Sequence, residues 1–321
     1  MDNRLEKICA VVVTYNRIIL LQECLDALLS QSYLPDSIII VDNGSTDGTE
    51  EMLNKKYFHN PIFEYINTWI NIWWAGWFYE WMKLAYEKKF SWIWVMDDDG
   101  KPDSLCLEKL IFFAQKWDKY STYLPLVTTP KGELTWDFSI LKESKTFDIH
   151  KIESVSELED DIYPTFWVWL LWWLYSYEIL HDYWYPDKRL FIRWDENEFN
   201  KRLLVNNIKS FFIKDAIFFH PKEVIKYLNI FWKKIKYNGA DFPLFKLYFQ
   251  LRNRILISKK YSKYAYLIIL RIIIIQILLS IIQINLHKSY LKKLRVVYLA
   301  IFHWITERFD NQEMMVFLTK K

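Results

Sequence analysis

Short apolar runs in the first hundred residues are each followed by polar residues. Four runs have the length and composition of buried strands: residues 8–13, 37–41, 63–67 and 92–96. Between them, apolar positions recur at helical spacing, as in residues 18–30. Strands that alternate with helices predict a parallel sheet covered by helices. We therefore expect an α/β fold with a mostly parallel central sheet.

Polar clusters lie where three of these strands should end, at residues 14–17, 42–45 and 97–99. Ligands of parallel sheets bind at the carboxyl ends of strands, so the three clusters are expected to share one site. The third cluster, Asp-Asp-Asp, would be only a solvated turn if it stood alone. Three adjacent carboxylates are unfavourable unless a cation shares them, and hard divalent ions prefer such oxygen ligands.

The remainder of the first two-thirds predicts further elements of the same kind. Residues 103–117 should form a helix, and residues 164–176 a buried strand that runs into a helix. Residues 131–161 are charged and weakly periodic, and we find no readable chemistry there. A helix should begin at Asp195, and the run AIFFHP ends a strand at His220.

The character of the chain changes after Pro221. Residues 231–258 are aromatic and basic, and 14 of residues 264–284 are isoleucine or leucine. Inserting those fourteen gains roughly 4–8 kcal/mol, whereas Arg271 alone costs about 3 kcal/mol near the bilayer centre. Lysines flank the segment, as suits anionic lipid. We favour attachment to a membrane surface over a span, and divide the chain into domains at 1–225 and 226–321.

Composition excludes several classes of protein. The 321 residues are 52% hydrophobic, so a sizeable core is available. A net charge of +3 is too small to indicate a nucleic-acid partner, and no RNA-binding signature is present. Three widely spaced cysteines fit reduced thiols in a cytosolic protein, and the N-terminus lacks a signal-peptide pattern.

Five motifs in order resemble family-2 glycosyltransferases with the GT-A fold: VVVTYNR, IIVDNGSTDGT, VMDDDG, FIRWDENEF and AIFFH. The greatest likeness is to the rhamnosyl- and galactofuranosyltransferase branch, whose membrane-proximal tail resembles YFQLRNRILIS and AIFHWITERFD. The resemblance implies an inverting enzyme that moves a sugar from a nucleotide diphosphate to a lipid-linked or cell-surface glycan. It further implies a cytoplasmic protein held at the inner face of the cell membrane.

The resemblance also implies roles for particular side chains. Asp97, Asp99 and His220 would hold a divalent metal, Mn²⁺ or Mg²⁺, although a lone histidine before proline is otherwise more often structural. The nucleotide-sugar contacts would come from Thr14, Tyr15, Asn16, Arg17, Asp42, Asn43, Asn71, Asp97 and Asp98.

The reaction also needs a general base for the acceptor hydroxyl. Asp195 is our choice, with Glu196 as the alternate. The sequence alone is equally consistent with acidic residues that favour a helix N-terminus through the macrodipole. The family resemblance favours catalysis.

Tryptophan stands where the family pattern has glycine. The chain has 17 tryptophans and 6 glycines, where ordinary usage gives roughly 22 glycines. The departures are Trp73, Trp74, Trp77, Trp81, Trp169 and Trp304, whereas Trp194 is ambiguous because the branch carries either residue there. One explanation is an aromatic surface for lipid or carbohydrate. The explanation we prefer is a difference in genetic code: some bacteria read UGA as glycine and others as tryptophan, and translating a gene of the former with the code of the latter puts tryptophan at glycine positions.

Two other functions stay open at this point. A sugar nucleotidyltransferase shares the sheet but uses an N-terminal glycine-rich phosphate loop, which VVVTYNR does not provide. A non-catalytic membrane-associated scaffold would account for the tryptophans. The sequence does not identify the donor sugar, the acceptor or the linkage.

Overall fold

The computed structural model describes residues 6–69, 74–135, 138–141, 149–165, 172–183, 187–222, 227–230, 233–236, 243–284 and 290–319. The chain forms two compact units. The first comprises Met1–Ile72, Trp77–Tyr185 and Phe199–Glu223, and the second comprises Trp73–Gly76, Pro186–Glu198 and Val224–Lys321.

The first unit is built on one large sheet. Its strands are β1 Ile8–Thr14, β2 Ser37–Asp42, β3 Phe63–Asn67, β4 Trp92–Asp97, β5 Lys101–Pro102, β6 Ser121–Thr128, β7 Phe138–Leu141, β8 Ile149–Ile152, β9 Ile162–Thr165, β10 Leu174–Ser176 and β11 Lys209–Phe219. The order along the sheet is β3-β2-β1-β4-β10-β6-β11-β9-β7-β8, and β5 pairs with β11.

The expectation of a mostly parallel sheet is wrong, because the sheet is mixed. Strands β3, β2, β1 and β4 are parallel, as is the pair β6–β11. The short strand β10 lies between β4 and β6 and is antiparallel to both. Beyond β11, the strands β9, β7 and β8 pair antiparallel. The predicted parallel α/β pattern therefore holds for strands β1 to β4, which precede residue 100.

Strand β6 is absent from the sequence-based prediction although all eight of its residues are buried. Its sequence, STYLPLVT, carries Pro125, which has no N–H to donate and argues against a central strand. The structure accommodates the proline at an irregularity. Pro125 lies opposite Ile213, and the register with β11 shifts between Ile213 and Ile217.

The helices of the first unit follow the predicted spacing. They are α1 Ile18–Leu29, α2 Thr49–Lys56, α3 Trp74–Glu87, α4 Cys106–Lys116 and α5 Tyr177–Tyr183, followed by α6 Asp195–Val205, of which Phe199–Val205 belongs to this unit. On α1 the buried face consists of Leu21, Cys24, Leu25 and Leu28, at intervals of three or four residues. All three cysteines are buried and unpaired, as expected.

The second unit is mainly helical. It contains the hairpin β12 Tyr227–Ile230 and β13 Lys233–Lys236, followed by α7 Leu244–Tyr261, α8 Ala265–Ile284, α9 Tyr290–Ile305 and α10 Asn311–Thr319. Helix α7 packs on α8, α9 and α10. The buried cluster joins apolar side chains of these four helices to Phe191 and Ile192. None of the helices in the described part of the chain is both long and apolar enough to cross a bilayer.

Three tryptophans adopt the left-handed backbone conformation that favours glycine. The φ angles are 59° at Trp69, 70° at Trp172 and 68° at Trp194. A side chain in this region costs roughly 1–2 kcal/mol because Cβ approaches the following carbonyl. Trp172 is buried, so packing offsets that cost, whereas Trp69 is 79% exposed and gains little from its indole.

We therefore expect Trp69→Gly to raise the free energy of unfolding by about 0.5–1 kcal/mol, after the greater freedom of glycine in the unfolded chain is subtracted. Urea denaturation at constant m measures the change. Trp69→Ala is the control, because alanine keeps the Cβ and gains nothing. Equal stability of the glycine and alanine variants would show that the backbone conformation carries no cost at this position.

Candidate functional site

Polar residues meet in a row at one edge of the first unit's sheet. In the strand register Asn67 of β3 lies beside Asp42 of β2, and Asp42 lies beside Thr14 of β1. On the other side of β1, Val13 pairs with Asp97, the last residue of β4. The three polar clusters identified in the sequence therefore share one edge, as expected from the parallel order of β2, β1 and β4.

The Asp-Asp-Asp turn is tied to the end of β1. Thr14 Oγ1 donates a hydrogen bond to Asp98 Oδ2 at 2.7 Å. Arg17 Nη1 donates to Asp98 Oδ1 at 3.1 Å and to Asp99 Oδ2 at 2.9 Å. Burial raises the pKa of Asp98, although the contacts with Thr14 and Arg17 counteract it. Thr14 and Arg17 therefore fix the turn and offset part of its negative charge.

A short strand pairing brings His220 to the acidic turn. Strand β5 follows the turn directly and pairs antiparallel with the end of β11, so that Lys101 lies opposite Phe219. This pairing places His220, the residue after β11, beside the acidic turn, and His220 Nε2 lies 3.1 Å from Asp99 Oδ1. His220 Nδ1 lies 2.7 Å from the carbonyl oxygen of Pro221. A carbonyl can only accept, so Nδ1 donates to Pro221, and Nε2 is the ring nitrogen that faces Asp99 and could contact a cation there.

Asp97, Asp99 and His220 form a group that fits a divalent cation. Each offers one ligand atom, and these atoms lie within 4.8 Å of one another. Asp97 is buried, and its Oδ1 atom has no hydrogen-bond partner among the described residues. A buried carboxylate oxygen without a partner is costly, and a bound cation would satisfy it. Two carboxylates and an imidazole suit Mn²⁺ or Mg²⁺ better than a soft metal.

The carboxylates of this group are held in different states. Burial and the neighbouring charges of Asp99 and Asp98 raise the pKa of Asp97 well above its usual value. Burial also acts on Asp99, but the hydrogen bond and charge of His220 outweigh it and lower the pKa of Asp99 to about 2. Without a cation, Asp99 is therefore ionised at neutral pH and Asp97 resists ionisation.

Close packing supports the acidic turn from behind. A Cβ atom at Gly100 would lie 2.1 Å from Cε1 of Phe218, so only glycine fits there. The Trp172 ring packs edge-on against His220, with centroids 5.0 Å apart, and contacts Phe218 at 5.7 Å. These contacts restrict the orientation of the His220 ring.

Asp42 is held by its neighbours from both sides. Its Oδ1 accepts from the backbone N–H of Ser45 at 2.8 Å, and its Oδ2 accepts from the Tyr65 hydroxyl at 2.8 Å. Asn67 Nδ2 donates in turn to the Tyr65 hydroxyl. The carboxylate is therefore oriented before any ligand arrives. Tyr65 and Asn67 were not predicted from the sequence, although the position of Asn67 at the end of β3 repeats the pattern of the other strand ends.

The loops after β1 and β2 are bound to each other through Asn16. Its backbone N–H donates to Ser45 Oγ at 2.8 Å, and its Oδ1 accepts from the Thr46 N–H at 2.7 Å. Asn43 donates its backbone N–H to the Thr14 carbonyl, and Tyr15 is exposed. Asn71, together with Trp73 and Trp169 among the expected glycine positions, lies outside the described residues.

The second unit contains the proposed base. Asp195 begins α6 and is buried, and its Oδ1 atom has no hydrogen-bond partner within the described chain. Burial, followed by the charge of Glu196, raises the pKa of Asp195. Glu198 instead accepts hydrogen bonds from Lys260 Nζ and the Tyr261 hydroxyl. Glu198 is thus engaged by side chains of α7, whereas Oδ1 of Asp195 accepts no hydrogen bond from the described residues.

The turn that precedes Asp195 has an unfavourable backbone. The φ angles of Phe191, Arg193 and Trp194 are 68°, 67° and 68°. Non-glycine residues in this region cost of order 1–3 kcal/mol each and persist only when the surroundings impose them. This turn was not predicted from the sequence, because a positive φ outside glycine leaves no compositional signal.

The unequal states of Asp97 and Asp99 predict opposite effects in buffer with EDTA at pH 7. Asp97→Asn removes a carboxyl group that ionises more readily in the unfolded chain than in the fold, and should raise the free energy of unfolding by roughly 1 kcal/mol. A carboxyl whose pKa is lowered on folding stabilises above its unfolded pKa and loses that effect as the pH falls from 3.8 towards 2. Asp99→Asn should therefore cost about 2 kcal/mol at neutral pH.

Urea denaturation of both variants beside the unmodified protein tests this pair. Shifts of the same sign would contradict the charge states described above. Added Mn²⁺ should raise the free energy of unfolding of the unmodified protein more than that of either variant.

Comparison with known proteins agrees with the motifs. Residues 9–169, half of the chain, match the model of the family described as glycosyl transferase family 2. Galactofuranosyltransferase GlfT1 of Mycolicibacterium smegmatis is 28% identical over 255 residues, which cover 78% of this chain and 82% of that protein. GlfT1 of Mycobacterium tuberculosis H37Rv is 29% identical over 252 residues, covering 78% and 81%.

Two solved structures share the fold. GalNAc-T7 with UDP, GalNAc and Mn²⁺ superposes with a TM-score of 0.60 at 12% identity, over 83% of this chain and 50% of that one. Residues 1–349 of TarS from S. aureus give 0.50 at 15% identity, over 81% and 67%. At these identities the likeness establishes a GT-A-like α/β fold and nothing about substrates. The family match over half of the chain, with motifs that meet at one edge of the sheet, establishes that the chain belongs to glycosyl transferase family 2, in its galactofuranosyltransferase-like branch.

Proposed function

We propose that this chain is an inverting, metal-dependent glycosyltransferase that moves a sugar from a nucleotide diphosphate to a glycan acceptor. The observation that carries the proposal is the group of Asp97, Asp99 and His220, whose ligand atoms lie within 4.8 Å of one another. Asp42 lies at the same sheet edge, where nucleotides bind in α/β folds. A divalent cation bound by the three side chains would neutralise charge on the departing diphosphate.

The reaction is a single displacement. The acceptor oxygen bonds to the anomeric carbon while the bond from that carbon to the diphosphate breaks, and the nucleoside diphosphate leaves with the electron pair. Asp195 takes the acceptor proton, with Glu196 as the alternate base. The raised pKa of Asp195 suits this role, because a more basic carboxylate accepts the proton more readily. Attack opposite the leaving group inverts the anomeric configuration.

The donor site is proposed along the row of strand ends. Asp42 and the loop of Thr14, Tyr15, Asn16 and Arg17 contact the base and ribose. The orientation of Asp42 by Ser45 and Tyr65 supports this assignment. The further contacts to the nucleotide-sugar come from Asn43, Asn71, Asp97 and Asp98.

The donor sugar is proposed from the relatives. Both reported GlfT1 proteins are named galactofuranosyltransferases and match about four-fifths of their length. We therefore infer a galactofuranosyl donor first and a rhamnosyl donor second. The acceptor is a lipid-linked or cell-surface glycan, as in the biosynthesis of a cell-wall polysaccharide.

Turnover with purified protein tests the reaction class. With Mn²⁺ we expect UDP-galactofuranose or dTDP-rhamnose to release nucleoside diphosphate, with EDTA abolishing the release. Asp99→Ala should lower the rate at least about 100-fold, because the charge on the leaving group is no longer neutralised. The control is Glu133→Ala, which removes one partner of an exposed ion pair and should leave the rate unchanged. Release of pyrophosphate would indicate a nucleotidyltransferase, and the absence of turnover with all donors a scaffold.

The general base has its own test. Asp195→Asn should lower kcat roughly 10²–10⁴-fold while the KM for the donor stays unchanged, because the lost proton acceptor acts on the acceptor hydroxyl. Glu196→Gln is the matched variant and should cost less than about tenfold. The reverse order of effects would assign the base to Glu196.

We also propose that the second unit attaches the enzyme to the cytoplasmic face of a membrane. Leu291, Tyr298 and Ile305 recur every seven residues on α9 and are 64%, 65% and 65% exposed. Helices α8 and α9 contain no acidic residue, and Arg271 and Arg295 are exposed on them. An exposed apolar stripe beside arginines suits the surface of an anionic bilayer.

Vesicle co-sedimentation tests this attachment. We expect binding to vesicles with anionic lipid and weaker binding to neutral ones. The double variant Leu291→Ser/Tyr298→Ser should bind at least tenfold more weakly, because it lacks two exposed apolar side chains that the bilayer would bury. Phe112→Ser, which removes an exposed aromatic ring from α4 of the first unit, is the control. Equal binding of the double variant and the control would refute the stripe as the attachment surface.

We infer, finally, that glycine is the encoded residue at several tryptophan positions. The left-handed conformations of Trp69 and Trp172 support this, since glycine adopts them without cost. The gene decides the matter. We expect TGA codons at Trp69, Trp172 and the pattern positions Trp73, Trp74, Trp77 and Trp81, and TGG codons there would refute the inference.

A further inference from the structure

A buried Arg-Asn pair on α7 contacts the turn that precedes Asp195. Both Arg252 and Asn253 have no exposed surface. Asn253 Nδ2 lies within hydrogen-bond distance of three carbonyl oxygens of the turn: Leu190 at 2.7 Å, Ile192 at 3.1 Å and Arg193 at 2.8 Å. A single side-chain amide thus contacts three backbone carbonyls of the segment whose φ angles are unfavourable.

Arg252 completes this arrangement. Its Nε and Nη2 donate to Asn253 Oδ1, at 3.0 and 2.9 Å, so that the amide is held with its N–H groups towards the turn. Nη2 also donates to the Arg189 carbonyl at 3.1 Å. Nη1 donates to Asn311 Oδ1, and Asn311 Nδ2 donates back to the Arg189 carbonyl.

The guanidinium has no carboxylate within ion-pair distance in the part of the chain that the structure describes. It is instead packed among the rings of Phe249, Tyr248 and Phe309, at 4.9, 5.6 and 5.2 Å. Burying a cation without an anion is unfavourable, and a neutral apolar side chain would fill this space at lower cost. We therefore attribute the presence of a charged side chain at this position to the hydrogen bonds that orient the Asn253 amide and the turn carbonyls.

Helix α7 also holds the chain on the other side of Asp195. Lys260 Nζ donates to Glu198 Oε1 at 2.8 Å, and Tyr261 donates to the same oxygen. Asn253 and Lys260 are seven residues apart, which places them on one face of α7, two turns from each other. One helix face thus contacts the residues that precede Asp195 and the first turn of α6 that follows it.

We propose that Arg252 and Asn253 are positioning residues for the Asp195 carboxylate. They impose the left-handed turn at Phe191 and Arg193, and this turn sets the direction in which Asp195 leaves the backbone. The proposal rests on the proposed function, in which Asp195 is the base. Both side chains are fully buried, so their effect on the reaction passes through Asp195 and not through contact with a substrate.

Kinetics of Asn253→Ala test the proposal. We expect kcat to fall roughly 10- to 100-fold with the donor KM unchanged, because a small displacement of the base slows the chemical step. The pH profile of kcat should shift as the surroundings of Asp195 change. Val296→Ala is the matched control, since it removes buried apolar volume from the same cluster and leaves the turn's hydrogen bonds intact. Equal effects of the two variants would overturn the proposal.

Limited trypsin digestion gives a readout that does not depend on activity. Cleavage after Arg193 should be at least tenfold faster in Asn253→Ala than in Val296→Ala, because only the former releases the turn. If Asn253→Ala does not fold, Asn253→Asp replaces it: the new carboxylate can pair with Arg252, but it cannot donate to the carbonyls. Cleavage of that variant at the rate of the unmodified protein would overturn the proposal.

A double variant separates this proposal from the function on which it rests. With Asp195→Asn already present, Asn253→Ala should lower kcat no further, because both changes act on one group. An additive further loss would overturn the positioning role and leave Asp195 as the base. Full activity of Asp195→Asn alone would instead overturn the assignment of the base.

Discussion

The repulsion among three adjacent carboxylates is the constraint on which the first unit's site depends. Asp97, Asp98 and Asp99 are all largely buried, where like charges are poorly screened. Arg17, Thr14 and His220 offset the charge of Asp98 and Asp99, but one oxygen of Asp97 has no hydrogen-bond partner among the residues that the structure describes. Without a cation the acidic turn therefore lowers the free energy of unfolding, and a cation shared by the carboxylates would offset that cost. An arrangement of this kind exchanges stability for binding, as functional sites commonly do.

The mixed sheet is what completes the acidic site. A purely parallel sheet would leave Asp99 at the end of one strand with nothing across from it. Because β5 turns back and pairs with β11, His220, the residue after β11, lies beside Asp99 of the acidic turn. Gly100 permits this reversal, since any Cβ would collide with Phe218. The pairing of a two-residue strand thus places His220 beside Asp99, which lies 121 residues earlier in the sequence.

In the second unit, buried polar groups likewise offset an unfavourable arrangement, which here is a backbone conformation. The backbone before Asp195 adopts angles that its side chains disfavour, and buried donors on α7 compensate through hydrogen bonds to its carbonyls. Hydrogen bonds to buried carbonyls are strong relative to leaving those oxygens unpaired, so the donors can hold the strained turn. The Asp195 carboxylate, the base that we propose, therefore extends from a backbone whose conformation these hydrogen bonds restrict.

The sequence by itself determined the local elements and the row of strand ends. Apolar runs and helical spacing located β1 to β4 and the helices between them, and the motifs indicated Asp42, the acidic turn and the family. It could not determine that β10 enters the sheet antiparallel or that β6 accommodates Pro125, because strand order depends on contacts between distant residues. It also missed Tyr65, Trp172 and the Arg252–Asn253 pair, whose roles arise only from partners far along the chain. Local spacing encodes secondary structure, whereas the partners of a buried polar group are set by tertiary packing.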